Sequence, residues 1–239
     1  MDAGQVINIE GFICPPEVDV VFNEWHDEEY IPNNMKFKGL TGLTRSKLVR
    51  STAGGTISEY PQYLTTFRFG DIAAFNEWNA SPELARASKN WADVCAKKGV
   101  RFLWRAQYET LKSWKSTPPS FVITLVATVV PPEGDARFDS WYSDTHLPDL
   151  LKFKELQGAI RYRLAGSSRP GIGISFEYEL KEYPKYLTYF YFEDVPGAEA
   201  YDTSPEREVA TQDFFRIIEE TGVERVWRAQ YIPMRTWQK

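Results

Sequence analysis

Tyr60-Pro61-Gln62-Tyr63-Leu64-Thr65-Thr66-Phe67-Arg68-Phe69 returns 123 residues later as Tyr183-Pro184-Lys185-Tyr186-Leu187-Thr188-Tyr189-Phe190-Tyr191-Phe192. The same offset relates Ser81-Pro82-Glu83 to Ser204-Pro205-Glu206, and Trp104-Arg105-Ala106-Gln107-Tyr108 to Trp227-Arg228-Ala229-Gln230-Tyr231. Further upstream the offset is 116. There Phe22, Trp25, Pro32, Lys36-Phe37-Lys38, Leu40, Gly42 and Arg45 recur at Phe138, Trp141, Pro148, Lys152-Phe153-Lys154, Leu156, Gly158 and Arg161, nine identities in 24 positions. A seven-residue insertion in the second copy separates the two offsets. The chain is one unit written twice, and so long a period means duplicated domains rather than a solenoid.

Each copy reads strand, helix, strand, strand, helix, strand. Val6 to Cys14 and Phe121 to Val130 are apolar first strands, each closed by Pro-Pro. Phe22, Trp25, His26, Glu29 and Tyr30 fall on one face of a helix, as do Phe138, Trp141, Tyr142, Thr145 and His146. Pro32 and Pro148 disfavour helix at the residue before them and predict that these helices end there. Leu43 to Arg50 and Ala159 to Ala165 are second strands, and Tyr63 to Phe69 and Tyr186 to Phe192 alternate as third strands. Asp71 and Asp194 are placed to cap the next helices, with Pro82 and Pro205 opening a fresh helix after Ser. Phe102 to Tyr108 and Arg225 to Tyr231 close each unit. The two halves are 1–114 and 120–239, joined by a linker at 115–119 within the Ser-x-x-Ser-Thr-Pro-Pro stretch from Ser113 to Pro119.

Composition narrows the class. The 239 residues carry a net charge of −5, without a basic run, which argues against a nucleic-acid surface. Met1-Asp2-Ala3-Gly4-Gln5 lacks the basic and apolar regions of a signal peptide. The longest apolar run, Phe121 to Val130, is too short for a membrane helix. Cys14 and Cys95 make neither a metal spacing nor a disulfide framework, so a cytoplasmic protein is expected. A content of 15% aromatic residues suits a large core, an apolar pocket, or both.

The β-α-β-β-α-β order is the ferredoxin-like motif, an α+β unit whose sheet has helices on one face only. Two joined copies can stack the bare faces and close a barrel, which also protects the sheet edges. The chain resembles a tandem member of the dimeric α/β-barrel superfamily. Trp141-Tyr142-Ser143-Asp144-Thr145-His146-Leu147-Pro148, leading to Gly158-Ala159-Ile160-Arg161, resembles the EthD-like branch, with its His-x-Pro followed by Gly and a basic strand.

His146 is the sharpest candidate site residue. It lies on the aromatic helix face near the helix C-terminus, where the dipole favours its protonated form, and a histidine titrating near neutrality can both give and take a proton. Tyr142, one turn earlier, can assist it. Arg161 could hold a carboxylate or enolate, although with Arg45 it could equally form a repeated ion pair. Asp144 could orient the imidazole. Trp141, Tyr186 and Phe138 would line the substrate pocket, as would His26 and Tyr30, which occupy the positions of Tyr142 and His146 in the first copy. There the His and Tyr stand in swapped order: either the first half holds a differently arranged second site or it has become a scaffold, and the scaffold is favoured because Tyr30 departs from the family's His-x-Pro pattern. The Trp-Arg-Ala-Gln-Tyr strands read as structural. Arg169-Pro170-Gly171-Ile172-Gly173, in the insertion, is a weak lid signal.

No nucleotide, flavin or metal motif appears, so the expected chemistry is acid–base work without a cofactor. The resemblance implies proton transfer on a small apolar, aromatic or polyketide-like substrate: dehydration, decarboxylation or cyclisation, a lyase or isomerase. Neither nucleic acid nor membrane is expected as partner, and a homo-oligomer is left open. Three alternatives stand beside this reading: a haem-binding barrel with His146 as ligand, a cofactor-free monooxygenase, and a non-catalytic binding or accessory protein.

Overall fold

The computed structural model describes residues 4–51, 59–115, 118, 121–166 and 183–239. In the first copy, β1 (Val6–Ile13) leads to α1 (Asp19–Trp25) and α2 (Ile31–Met35), then β2 (Leu40–Ser51) and β3 (Tyr63–Phe69). Three short helices follow, α3 (Ile72–Asn79), α4 (Pro82–Ala87) and α5 (Trp91–Val94), before β4 (Arg101–Lys115). The second copy repeats the order with β5 (Val122–Val129), α6 (Asp135–Trp141), α7 (Leu147–Leu150), β6 (Leu156–Gly166), β7 (Tyr186–Phe192), α8 (Val195–Asp202), α9 (Pro205–Thr221) and β8 (Glu224–Gln238).

The eight strands form one closed antiparallel barrel in the order β1-β3-β2-β8-β5-β7-β6-β4. Closure depends on the last strand of each copy, which is longer than its apolar pattern predicts. β4 pairs with β1 over Arg101–Glu109, and its outer part, Gln107 to Lys115, crosses to β6. β8 does the same, pairing with β5 and then, from Ala229 to Gln238, with β2. Ser113, Trp114 and Lys115, expected at the start of the linker, therefore belong to a strand. Their side chains as well as their backbone reach the other half, Trp114 packing against the second copy's core and Lys115 donating to the Leu151 carbonyl at 2.5 Å. Of the remaining linker, only Pro118 is among the described residues.

Alternation along the strands divides the interior into three cores, one under each helical layer and one inside the barrel. The repeated Trp-Arg-Ala-Gln-Tyr strands serve two of these at once. Trp104 and Trp227 meet edge to face inside the barrel, ring centroids 4.6 Å apart. Tyr108 donates to the Pro184 carbonyl at 3.2 Å, and Tyr231 to the Pro61 carbonyl at 3.1 Å, a reciprocal pair across the halves. Arg105 and Arg228 point the other way, to Asn79 and Asp202 in the helical layers.

The caps form as read. Asp71 accepts from the Ala74 amide at 2.8 Å and Asp194 from the Gly197 amide at 2.7 Å, while Ser81 and Ser204 cap at 3.1 Å. The first helices, however, do not stop before their prolines. In each copy one π-turn, His26–Tyr30 or Tyr142–His146, widens the helix and shifts its ladder by a residue. The Ile31 amide bonds to the His26 carbonyl and the Leu147 amide to that of Tyr142, and α2 and α7 continue with Pro32 and Pro148 in their first turns. The wider turn makes room for the ring, so the helix survives the missing N–H.

Candidate active site

Between the second copy's helices and the outer face of its sheet lies a cleft of about 30 Å³, space for one or two water molecules. Tyr142, His146 and Leu150 enter it from the first helices, Thr124, Val126 and Phe190 from β5 and β7, and Tyr201, Arg207, Phe214, Arg225 and Arg228 from α8, α9 and β8. The π-turn sets Tyr142 and His146 on the sheet-facing side, with ring centroids 4.9 Å apart. His146 is 8% exposed, its ring tilted against Trp141 at 4.5 Å and near Phe214 at 6.1 Å. Its buried Nδ1 has no hydrogen-bond partner.

Three guanidinium groups face this histidine. Arg228 pairs with Asp202, Arg207 donates to the Thr211 hydroxyl, and Arg225 lies 5.3 Å over the Phe214 ring. Asp202 brings a carboxylate to this group through Arg228. Burial, together with the neighbouring Arg228 and Arg207, lowers Arg225 to about 10. Burial first, then Arg207, Arg225 and Arg161, push His146 down to about 3. The expected protonated imidazole is thus reversed. At neutral pH His146 is an uncharged base in a cationic cleft, because desolvation and three cations outweigh a helix dipole.

The other candidates from the sequence are placed as follows. Tyr142 lines the cleft, its hydroxyl bonded to Thr188 and kept protonated chiefly by burial. Arg161 is fully buried but does not reach the cleft; it donates to Asp139 and to Ser143 and lies 4.2 Å over the Tyr186 ring. Arg45 mirrors it, with Asp27 at 2.8 Å and the Asn23 side chain. The repeated ion pair is the arrangement found. Asp144 is exposed and accepts from Ser140 at 3.3 Å, away from the imidazole. Trp141 and Phe138 belong to the packed core, and Tyr186 donates to Asp135 at 2.9 Å. The lid stretch from Arg169 to Gly173 lies outside the described residues.

In the first copy the corresponding cleft is filled. Glu10 replaces Val126, Trp78 replaces Tyr201, Leu84 replaces Arg207, Trp91 replaces Phe214 and Phe102 replaces Arg225. Tyr30, at the position of His146, donates to Glu10 at 2.8 Å. Asn8 donates to the same carboxylate at 3.2 Å, and Arg105 approaches it to 3.5 Å. His26 Nε2 shares a 3.1 Å hydrogen bond with the Thr65 hydroxyl, the position that serves Tyr142 in the other copy. Burial lowers His26 to about 4.

Arg207, Arg225 and Tyr201 were not anticipated. Their signal in the sequence is the reverse of the repeat: Arg207 and Arg225 stand where the first copy has Leu84 and Phe102, and Tyr201 where it has Trp78.

No protein-family model matches the chain, and no curated protein matches it by sequence. Solved structures do share its fold. An anthrone oxidase-like protein superposes with a TM-score of 0.63 at 13% identity, over 99% of this chain and 94% of its own. A monooxygenase-like protein of Fusobacterium nucleatum gives 0.62 at 11%, over 100% and 96%. A chlorite dismutase variant from Candidatus Nitrospira defluvii gives 0.57 at 9%, over 98% and 93%. At such identities the likeness shows the fold: an α+β chain forming a dimeric α/β barrel from two ferredoxin-like halves. Among the described residues no helix is long and apolar enough to cross a membrane, and no His, Cys, Asp and Glu cluster could hold a metal ion. Haem does not fit the residues present, since Trp141 and Phe214 pack beside the imidazole and the cleft admits little more than water.

Proposed function

We propose that this chain is a small-molecule enzyme in which neutral His146 removes a proton from a substrate whose developing negative charge is held by Arg207, Arg225 and Arg228. The observation that carries this reading is the uncharged imidazole set among three guanidinium groups, in the one copy whose cleft is not filled. A base of this kind suits an acidic C–H or phenolic O–H next to a carbonyl, and buried cations stabilise an enolate or phenolate far better than water does. The reacting carbonyl oxygen would take the place of the one or two waters that the cleft admits, with the rest of the substrate lying at the mouth beside half-buried Arg207 and Arg225. Tyr142, a protonated phenol, orients that group by donating a hydrogen bond.

Ionisation is the first step of lyase and isomerase reactions of the EthD-like kind, which the His-x-Pro stretch supports: dehydration, decarboxylation or cyclisation follows from the enolate. The monooxygenase-like and anthrone oxidase-like neighbours favour a second fate, in which the same anion meets oxygen. The test is deuterium exchange into a 1,3-diketone such as 1-phenylbutane-1,3-dione, followed by NMR, with oxygen uptake recorded in parallel. Exchange should be catalysed and should fall at least a hundredfold in His146→Gln. Exchange retained in that variant would overturn the assignment. Oxygen uptake that parallels exchange would select the second fate.

A further inference from the structure

A larger cavity than the His146 cleft lies inside the barrel. It measures about 270 Å³ and lies where β1 and β5 begin and β3 and β7 end, on the pseudo-twofold axis that relates the copies. Matched residues of both copies face each other across it, and their chemistry differs. The first copy contributes Ser46, Thr66 and Arg68, while the second has Tyr162, Tyr189 and Tyr191 at those positions. Small polar side chains opposite phenols leave the space that two matched sets of tyrosines would fill.

Arg68 is the group that this arrangement leaves incomplete. Its Nη1 donates to the Thr44 hydroxyl at 2.8 Å, and its buried Nη2 has no partner. Nη2 lies close to Gly42, where a Cβ would come within 3.0 Å of it and within 2.8 Å of the Trp237 carbonyl oxygen. No carboxylate pairs with Arg68 among the ion pairs of the described residues; the titratable groups acting on it are the phenols Tyr191, Tyr162 and Tyr189. Burial keeps all three protonated and able to donate. Ile7, Ile123 and Phe121 supply an apolar wall. An inward-facing cation without a counter-ion is costly unless an anion completes it.

We infer that the barrel interior binds a small aromatic carboxylate, its carboxylate on Arg68 and the tyrosine hydroxyls and its ring against Ile7, Ile123 and Phe121. A dry cavity of about 150 Å³ suffices for benzene, so this one has room for one or two fused rings and a carboxylate. The site lies across the sheet from the His146 cleft and shares no lining residue with it.

Isothermal titration with 1-naphthoate and with its neutral isostere 1-naphthamide tests this. The carboxylate should bind at least tenfold more tightly than the amide. Arg68→Met should abolish that preference. Ser46→Leu, which adds apolar bulk inside the cavity without removing a hydrogen bond of Arg68, should weaken both ligands at least tenfold. His146→Gln and Arg207→Met should leave naphthoate affinity within twofold of the parent. Failure of the parent to bind naphthoate at millimolar concentration, affinity unchanged in both Arg68→Met and Ser46→Leu, or loss in Arg207→Met alone would each overturn the inference.

Discussion

Tyr30 donates a 2.8 Å hydrogen bond to Glu10 at the position where the other copy sets His146 beside Val126. This pair, with Asn8 and Arg105 around it, turns one of two equivalent clefts into packed polar core. Removing the Tyr30 hydroxyl leaves a buried carboxyl short of one partner. Tyr30→Phe should therefore cost about 1–3 kcal/mol in a urea unfolding curve without changing the rate of the His146 reaction. Glu10→Val combined with Tyr30→Phe should cost less than the two single changes together, because neither partner is then stranded.

Low pH separates the buried histidines from ordinary ones. His146 binds a proton in the folded state only near about pH 3, and in the unfolded chain near 6.5. Its contribution is whole above 6.5 and is lost as pH falls from 6.5 towards 3. Between pH 6 and 5 the stability of the parent should fall further than that of His146→Gln, by about 1.2 kcal/mol. Raised Glu10 acts in the opposite sense in both proteins and cancels in the comparison.

The matched arginines should behave alike. Arg45→Met and Arg161→Met each remove a fully buried guanidinium bonded to a helix carboxylate and stacked on a tyrosine, Tyr63 at 4.9 Å or Tyr186 at 4.2 Å. Because both carboxylates are partly exposed, the loss should be about 1–3 kcal/mol for each, measured by thermal unfolding. A loss of activity in Arg161→Met with unchanged stability would instead make Arg161 part of the site.

The duplication was legible because packing repeats: Phe22 and Phe138, Trp104 and Trp227, Asp71 and Asp194 do the same work in both copies. The strands, caps and inward-facing rings follow from those pairs. The widened turns before Pro32 and Pro148 were not legible, since a π-turn leaves no mark in the apolar periodicity. The strand extensions past Tyr108 and Tyr231 were hidden because what they pair and pack with lies in the other copy. Of the site, His146 and Tyr142 were visible on one helix face. Arg207, Arg225 and Tyr201 come from elements distant in sequence, and only the folded barrel brings them to the imidazole. Arg161 and Asp144 are close to His146 in sequence, yet one is closed in an ion pair and the other faces solvent.

With only two histidines in the chain, imidazole NMR reads both clefts in one spectrum. At about pH 5.5 both rings should be neutral. Adding the enolate-forming probe 1-phenylbutane-1,3-dione should move the His146 signals and leave those of His26 in place. Signals from His146 that titrate near 6.5, or a probe that moves His26 and not His146, would contradict the account of the second copy as the working half.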